Sequence, residues 1–249
     1  MRLLAAALLL CACPSPARLQ PRAAEELRRG YRHLEAGDRE RADVAFAHAL
    51  AFHPELAEAW NGRGIVAEQA GDLALAARCF ARAAAAQPDF AEARVNRGVV
   101  LFRQGHLAEA AAAYREALSI DPDLAAARLD LARALLHRGL AEPAARVALW
   151  AEARREYLHL LESRDDEPAA WHDLGFLELE SGQASRAEAS YRRAAALQPG
   201  SEAALHGLCL SLARLGRCAE AEGACRACLE AAPGSAACRR SLAAAQACR

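Results

Sequence analysis

The chain has 249 residues, of which 54% are hydrophobic but only 5% aromatic, and its formal net charge is −1. Abundant alanine, leucine, arginine and glutamate favour helix along nearly the whole length. The balanced charge argues against nucleic-acid binding, which requires a basic stripe. The composition therefore predicts an all-α protein without a nucleic-acid partner.

Residues 1–12 have the pattern of a signal peptide. Arg2 precedes an apolar run that ends at Leu10, and this run is much shorter than the ~20 residues that a membrane-spanning helix needs. The sequence LCAC at residues 10–13 resembles a bacterial lipobox, which makes Cys13 the expected site of lipidation. Cleavage by an ordinary signal peptidase is one alternative. A transit peptide is another, because residues 1–22 contain arginines and no acid.

Residues 13–22 contain three prolines and no apolar periodicity. We expect them to form a tether between the lipid anchor and the folded body. The membrane would then be contacted only through this N-terminal anchor.

Glycine and proline recur at intervals of 34 residues. The series consists of Gly37, Gly71, Gly105 and Gly139 with Pro54, Pro88 and Pro122, and it resumes with Gly182, Gly216, Pro199 and Pro233. Each glycine falls between two helical patterns, where a left-handed residue ends a helix, and each proline stops the second helix. The period predicts helical hairpins at 23–56, 57–90, 91–124, 125–167, 168–201 and 202–235, and a final helix at 236–249.

The residues within each repeat resemble the tetratricopeptide (TPR) unit. In the second repeat the matching positions hold Trp60, Gly64, Ala76, Phe80, Ala83 and Pro88. The resemblance implies a right-handed α-solenoid of about six TPR hairpins plus a C-terminal capping helix, in which neighbouring hairpins bury each other's apolar faces. With its N-terminal leader, the chain is similar to exported bacterial TPR lipoproteins.

The fourth repeat contains an insertion. The 43 residues from Gly139 to Gly182 exceed the 34-residue period by nine. Glu142-Pro143 is a good helix start, and no helix-breaking residue stands between Ala144 and Glu162. We expect Gly139 at the turn and an overlong second helix; the alternative is a short loop that leaves the helix at its normal length.

Six of the nine cysteines lie in the last 41 residues. In the antiparallel helices of a TPR stack, facing residues have a constant sum of residue numbers, and two pairs of these cysteines have the same sum. A third pair, on either side of the Gly216 turn, occupies repeat positions that are near neighbours in TPR proteins. The repeat geometry therefore implies the disulfides Cys209–Cys225, Cys218–Cys248 and Cys228–Cys238.

Such disulfides would indicate an oxidising compartment. The two Cys-x9-Cys spans are also similar to the twin Cys-x9-Cys helical hairpins of the mitochondrial intermembrane space. Two alternatives stay open. The cysteines could be free buried thiols, because cysteine packs as a small hydrophobe, or His206, Cys209, Cys225 and Cys228 could bind zinc.

In TPR proteins the first helices of the hairpins line the concave face, and the resemblance assigns partner binding to residues on those helices. Their polar members could bond a peptide backbone, and their apolar members form a strip suited to an amphipathic helix. These residues are Asn61, Ile65, Asn96, Val99, Phe102, Arg103, Asp130, Arg133, Leu136, Asp173 and Phe176, with Leu179 and Leu210 continuing the strip. Alternatively, the apolar members pack between neighbouring first helices.

The residues suggest no catalytic arrangement, and we expect neither a cofactor nor a metal in the favoured interpretation. The chain contains no lysine, so the Lys/Asn/Arg carboxylate clamp of co-chaperone TPR proteins is absent. We expect a non-enzymatic scaffold that binds a peptide or helix of another protein in envelope assembly or secretion, as a lipoprotein of the periplasm or outer membrane. The alternatives are a secreted protein, or a cysteine-rich redox or metal-binding TPR protein of the mitochondrial intermembrane space.

Overall fold

A computed structural model of the chain describes residues 20–248. Over this range it consists of thirteen α-helices and contains no β-strand. The helices are α1 (Pro21–Glu35), α2 (Arg39–Phe52), α3 (Ala57–Gln69), α4 (Leu73–Ala86), α5 (Ala91–Arg103), α6 (Leu107–Ile120), α7 (Ala125–Ala141), α8 (Arg146–Ser163), α9 (Pro168–Glu180), α10 (Ala184–Leu197), α11 (Glu202–Arg214), α12 (Cys218–Ala231) and α13 (Ala236–Ala247). No helix among them has the length and apolar character needed to cross a membrane.

The N-terminal boundary of the folded part differs from the prediction. The predicted signal peptide, the lipidation site Cys13 and the tether up to residue 19 lie outside the described residues. Helix α1 begins at Pro21, so residues 21 and 22 belong to the helix and not to the tether. Proline suits the first position of a helix, where a backbone N–H would have no helical partner.

The chain divides into two compact units, one ending at Ala86 and one beginning at Gln87. The first unit contains the hairpins α1/α2 and α3/α4. The fully buried ring of Phe46 packs against Gly30, where a β-carbon would lie 2.5 Å from the ring. Phe80 packs against Gly64 in the same way. Aromatic residues on the second helices therefore depend on the missing side chains of glycines on the first helices.

The second unit contains the hairpins α5/α6, α7/α8, α9/α10 and α11/α12, and α13 packs against α12. Its main core includes the fully buried Tyr114 and Tyr157. Tyr114 packs against Gly98, where a β-carbon would lie 2.6 Å from the ring. The six hairpins and the final helix confirm the predicted all-α TPR solenoid fold.

Five hairpin turns use a glycine with a left-handed backbone. The φ angles lie between 70° and 83° at Gly37, Gly71, Gly105, Gly182 and Gly216. At Gly105 the next residue, His106, donates its N–H to the carbonyl of Leu101 at 2.9 Å, and Gly105 donates to Phe102 at 2.9 Å. These two bonds satisfy carbonyls at the end of α5, which explains why glycine recurs at this point of the repeat.

The fourth hairpin corrects the prediction made for the insertion. Helices α7 and α8 have 17 and 18 residues, against 13 and 14 in α5 and α6. The insertion therefore adds about one turn to each helix, instead of lengthening only the second. Helix α7 continues past Gly139 and ends at Ala141, two residues before Pro143, because the residue before proline disfavours helical geometry.

Gly139 is consequently not a turn residue. It is buried inside α7 and packs directly against the indole of Trp150. The indole Nε1 of Trp150 donates to the carbonyl of Leu136 at 3.1 Å. Pro143 lies in the turn, and α8 begins only at Arg146. Glu142-Pro143 is therefore not the helix start that the sequence predicted.

Candidate partner-binding pocket

Two of the predicted partner-binding residues lie in the first unit, on α3. Asn61 is only 1% exposed, so its amide is inside the protein and is not presented to a partner. Ile65 is half-buried. Of these two residues, only Ile65 offers surface for recognition.

Five predicted residues come together in the second unit around a small pocket. The walls are formed by Val99, Phe102 and Arg103 of α5, Tyr114 of α6, and Asp130 and Arg133 of α7. Residues three and four apart share one face of a helix, which is why the α5 residues line the same space. The volume is about 190 Å³. We refer to this site as the α5–α7 pocket.

Charged residues form one side of the α5–α7 pocket. The Nε of Arg133 donates to Oδ2 of Asp173 on α9 at 2.7 Å, and its guanidinium lies 3.9 Å from Oδ1 of Asp130. The other carboxylate oxygen of Asp173 lies 3.0 Å from Nδ1 of His172. Asp173 is thus not a wall of the pocket but holds Arg133 in position beside it.

The two carboxylates have opposite pKa shifts. Burial raises the pKa of Asp130, and the nearby Arg133 only partly offsets this effect. Burial also acts to raise the pKa of Asp173, but the hydrogen bonds with His172 and Arg133 outweigh it, so the pKa is lowered. Asp173 therefore carries a charge that its neighbours compensate, whereas Asp130 is the more weakly compensated carboxylate at the pocket.

The predicted apolar strip is largely used for packing within the protein. Leu136 and Leu179 are buried, with 4% and 3% exposure. Val99, Phe102 and Phe176 are half-buried and pack against the core of the second unit. The expectation of a contiguous exposed strip is wrong, because neighbouring helices cover most of it. Of these apolar residues, only Val99 and Phe102 line the α5–α7 pocket.

The remaining members of the predicted set lie apart from the pocket. Asn96 on α5 and Phe176 on α9 are half-buried, and neither lines it. Conversely, the sequence did not identify Tyr114 as a pocket residue. Its repeat position marked it as a core aromatic, and it is indeed only 1% exposed. One feature of the sequence could have distinguished Tyr114 from a pure core residue. It has a hydroxyl group, whereas Phe46 and Phe80 occupy the same position in the first two repeats.

The cysteines near the C-terminus lie in three pairs at disulfide distance. The Cα–Cα separations are 5.3 Å for Cys209–Cys225, 5.8 Å for Cys218–Cys248 and 6.1 Å for Cys228–Cys238, all within the range of protein disulfides. These are the pairs that the repeat geometry implied. One pair joins α11 to α12, one joins α12 to α13, and one joins α12 to Cys248, which directly follows α13.

The zinc alternative finds no support in this arrangement. Within residues 20–248, no group of three or more histidine, cysteine or acidic side chains is placed to hold a metal ion. His206 instead contacts the hydroxyl of Ser241 on α13 at 2.9 Å. Cys79 is a separate buried thiol in α4, and burial raises its pKa.

Antiparallel helix pairs, aromatic residues seated on glycines and left-handed glycine turns define a helical-repeat protein. The tetratricopeptide repeat profile matches residues 27–78, 67–125 and 172–236, which is more than half of the chain. The chain belongs to the tetratricopeptide repeat family. The unmatched stretch from 126 to 171 contains almost all of the fourth hairpin, whose elongated helices depart from the repeat.

No curated protein sequence matches the chain significantly, but solved TPR structures share its fold. PilF of Pseudomonas aeruginosa has a TM-score of 0.70 and 19% identity, and the match covers 89% of this chain and 96% of the PilF chain. PilW, described as a widely conserved type IV pilus biogenesis factor, has a TM-score of 0.70 and 19% identity, over 90% and 99%. YrrB, described as a TPR protein with an unusual peptide-binding site, has a TM-score of 0.67 and 15% identity, over 79% and 97%. At these identities the likeness is one of fold.

Proposed function

We propose that the protein is a non-catalytic scaffold that holds a peptide or amphipathic helix of another protein at the α5–α7 pocket. The observation that carries this proposal is the convergence of Val99, Phe102, Arg103, Asp130 and Arg133 around one cavity. These residues come from separate repeats, yet the stacking of α5 and α7 brings apolar and charged side chains to the same place.

The size and chemistry of the pocket favour one anchoring side chain. Its volume of about 190 Å³ is below the ~300–1,000 Å³ of typical small-molecule sites. Val99 and Phe102 offer apolar contact to a side chain of the partner. The exposed Arg103 and the Asp130 carboxylate are placed to bond the partner's backbone or polar groups. This combination suits an apolar anchor residue within a polar segment.

Charge introduced at the centre of the pocket tests the proposal. Phe102→Glu should lower recovery of the bound partner at least about tenfold in a pulldown, because it places a carboxylate among apolar contacts. Phe52→Glu is the matched control, since Phe52 is an exposed phenylalanine of the first unit, and it should leave recovery unchanged. Equal recovery with wild type and Phe102→Glu would exclude the pocket as the binding site.

We further propose that the protein is exported and lipid-anchored through Cys13, and that it acts in envelope assembly or secretion. The leader sequence supports export, and the fold shared with PilW, which is described as a type IV pilus biogenesis factor, supports a role in envelope assembly. Mass spectrometry of the mature N-terminus tests the anchor, because Cys13 must carry acyl groups. A mature chain that begins at another residue would contradict it.

The three cysteine pairs are proposed to be structural disulfides. Helix α13 has only two buried residues, Cys238 and Ala245, so apolar packing alone holds it weakly. Each disulfide would contribute about 2–4 kcal/mol. Thiol titration of the unfolded protein should release six additional thiols after reduction. Bound zinc, or six thiols already reactive without reductant, would instead favour the metal or redox alternative.

A further inference from the structure

A cavity of the second unit adjoins the insertion and lies apart from the α5–α7 pocket. It has a volume of about 670 Å³ and lies among α8, the end of α9 and the start of α10. Helix α8 packs less closely against α9 than α6 does against α7, and the cavity occupies this opening. We refer to it as the α8–α10 cleft.

The added first turn of α8 supplies part of this cleft. Arg146 and Val147 belong to that turn, and Trp150 and Ala151 follow on the same side. Val147 is 84% exposed, although it is a β-branched apolar residue in a helix. The insertion therefore places an uncovered apolar side chain at the mouth of the cleft.

Positive charge dominates the walls. Four arginines line the cleft, whereas Glu180 is the single acidic residue in the lining. The Glu180 carboxylate lies 3.7 Å from Arg214, which is outside the cleft. Arg186 hydrogen-bonds the neutral side chain of Gln183, and Arg155 is exposed and forms no ion pair with the described residues. The charges of Arg155 and Arg186 are thus available to an external carboxylate.

The other two arginines support the shape of the cleft. The guanidinium of Arg146 lies 5.2 Å from the centre of the Trp150 ring, and its Nε donates to the carbonyl of Gly139 at 3.0 Å. The Nε of Arg154 lies 3.4 Å from Oε1 of the buried Glu178. The first turn of α8 contains no acidic residue, so the positive end of the helix dipole adds to the same field.

The first unit has a cleft in the corresponding place that lacks this charge. It lies among α2, α3 and the start of α4 and has a volume of about 530 Å³. Its charged residues are Arg39, Arg63, Glu40, Asp43 and Asp72, and Arg63 bonds Asp43 at 2.7 Å. Excess positive charge is therefore a feature of the α8–α10 cleft that the cleft of the first unit does not share.

We propose that the α8–α10 cleft docks an acidic segment of a partner protein that carries an apolar anchor residue. Carboxylates of the segment contact Arg155 and Arg186, and the anchor covers Val147 and the adjoining face of Trp150. Opposite charge steers the segment to the cleft and fixes its register, while the apolar contact removes Val147 from water. This surface is separate from the α5–α7 pocket and does not depend on it.

A display library of random short peptides, selected on the whole protein, tests the proposal without assuming a sequence. Selection is repeated on the variant R155E/R186E and on the control R78E/R240E, whose arginines are exposed helix residues elsewhere and whose change in net charge is the same. Peptides selected on the wild type should be rich in Asp and Glu around an apolar residue. At low salt their affinity for R155E/R186E should be at least about tenfold lower than for the wild type. Their affinity for the control R78E/R240E should equal that for the wild type.

Val147→Asp provides a second test that does not disturb folding, because the side chain is almost fully exposed. It should weaken the binding of the same peptides, whereas the control R78E/R240E should not. Selected peptides without acidic enrichment, or equal binding to R155E/R186E and the control, would overturn the proposal. So would light scattering that shows a dimer for the wild type and a monomer for R155E/R186E, since a second copy of the chain would then be the occupant of the cleft.

Discussion

The third and fourth hairpins show how one sequence period can carry two structures. In α5/α6, Gly105 has a φ of 81° and forms the turn. In α7/α8, Gly139 has the same place in the period but lies inside α7, packed against Trp150. Glycine at one repeat position is therefore used for its backbone in one hairpin and for its missing side chain in the next.

This difference can be tested because asparagine separates the two roles. Asparagine adopts a left-handed backbone more readily than most residues, but it needs space for its side chain. A β-carbon at Gly105 would meet no atom within 4 Å, whereas at Gly139 it would overlap the indole. The same substitution should thus have very different effects in the two hairpins.

We expect the largest effect from Gly139→Asn. It should lower the free energy of unfolding by about 2–4 kcal/mol, because it overpacks the contact with Trp150 and buries an amide. Gly105→Asn should cost less than about 1 kcal/mol. Urea unfolding followed by circular dichroism measures both. Similar costs at the two sites would mean that Gly139 is a turn residue after all.

A smaller effect is expected from the ion pair that joins α7 to α9. Val99 of α5 and Arg133 of α7 occupy the same repeat position. Arg133 forms a hydrogen bond of 2.7 Å with Asp173. Asp173→Asn should lower the free energy of unfolding by about 1–2 kcal/mol near neutral pH, because it weakens a partly exposed charged hydrogen bond. Asp130→Asn is the control and should be neutral or slightly stabilising, since burial disfavours its charge.

The stabilisation by the Asp173 carboxylate should depend on pH. The pKa of Asp173 is lowered in the folded state, so its contribution is present above the pKa of the unfolded chain and is lost as pH falls through the folded-state pKa. The penalty of Asp173→Asn should therefore shrink in acid. For Asp130, whose pKa is raised, ionisation opposes folding as pH rises above the ordinary value. A penalty for Asp173→Asn that persists in strong acid would rule out the charge as its cause.

The smallest effect concerns the core tyrosines of the two hairpins. Tyr157 of α8 is fully buried, and among the described residues its hydroxyl has no hydrogen-bond partner. Tyr157→Phe should stabilise the protein by up to about 1 kcal/mol, because it removes an unsatisfied buried hydroxyl. Tyr114→Phe in α6 should give no gain, since the Tyr114 hydroxyl is not such an unsatisfied group. A loss of stability on Tyr157→Phe, measured by thermal unfolding, would contradict this reasoning.

The sequence predicted the features that depend on local and repeated signals. Gly37, Gly71 and Gly105 close turns as expected, because left-handed backbone favours glycine wherever it occurs. The cysteine pairs of the structure match those implied by antiparallel register, which is also a property of the repeat. Gly139 was misassigned because its role depends on Trp150, a contact formed only when α8 folds back onto α7.

The candidate site was only partly predictable for a similar reason. Repeat positions identified Val99, Phe102 and Asp130 as residues on the first helices. They could not show that neighbouring helices cover Leu136 or that Asn61 is buried, because both depend on how closely the next helix packs. Tyr114 was not predicted as a pocket residue because its repeat position indicates only a core aromatic, whereas its side chain both fills the core and lines the pocket.

The most direct test of partner binding at the α5–α7 pocket is site-specific photo-crosslinking. A benzophenone amino acid replaces Phe102 in one variant and the exposed Phe52 in a second, and each is irradiated with the partner recovered by the wild-type chain. We predict a covalent adduct from position 102 and none from position 52. An adduct from position 52 alone, or equal adducts from both, would contradict the pocket as the place where this protein holds its partner.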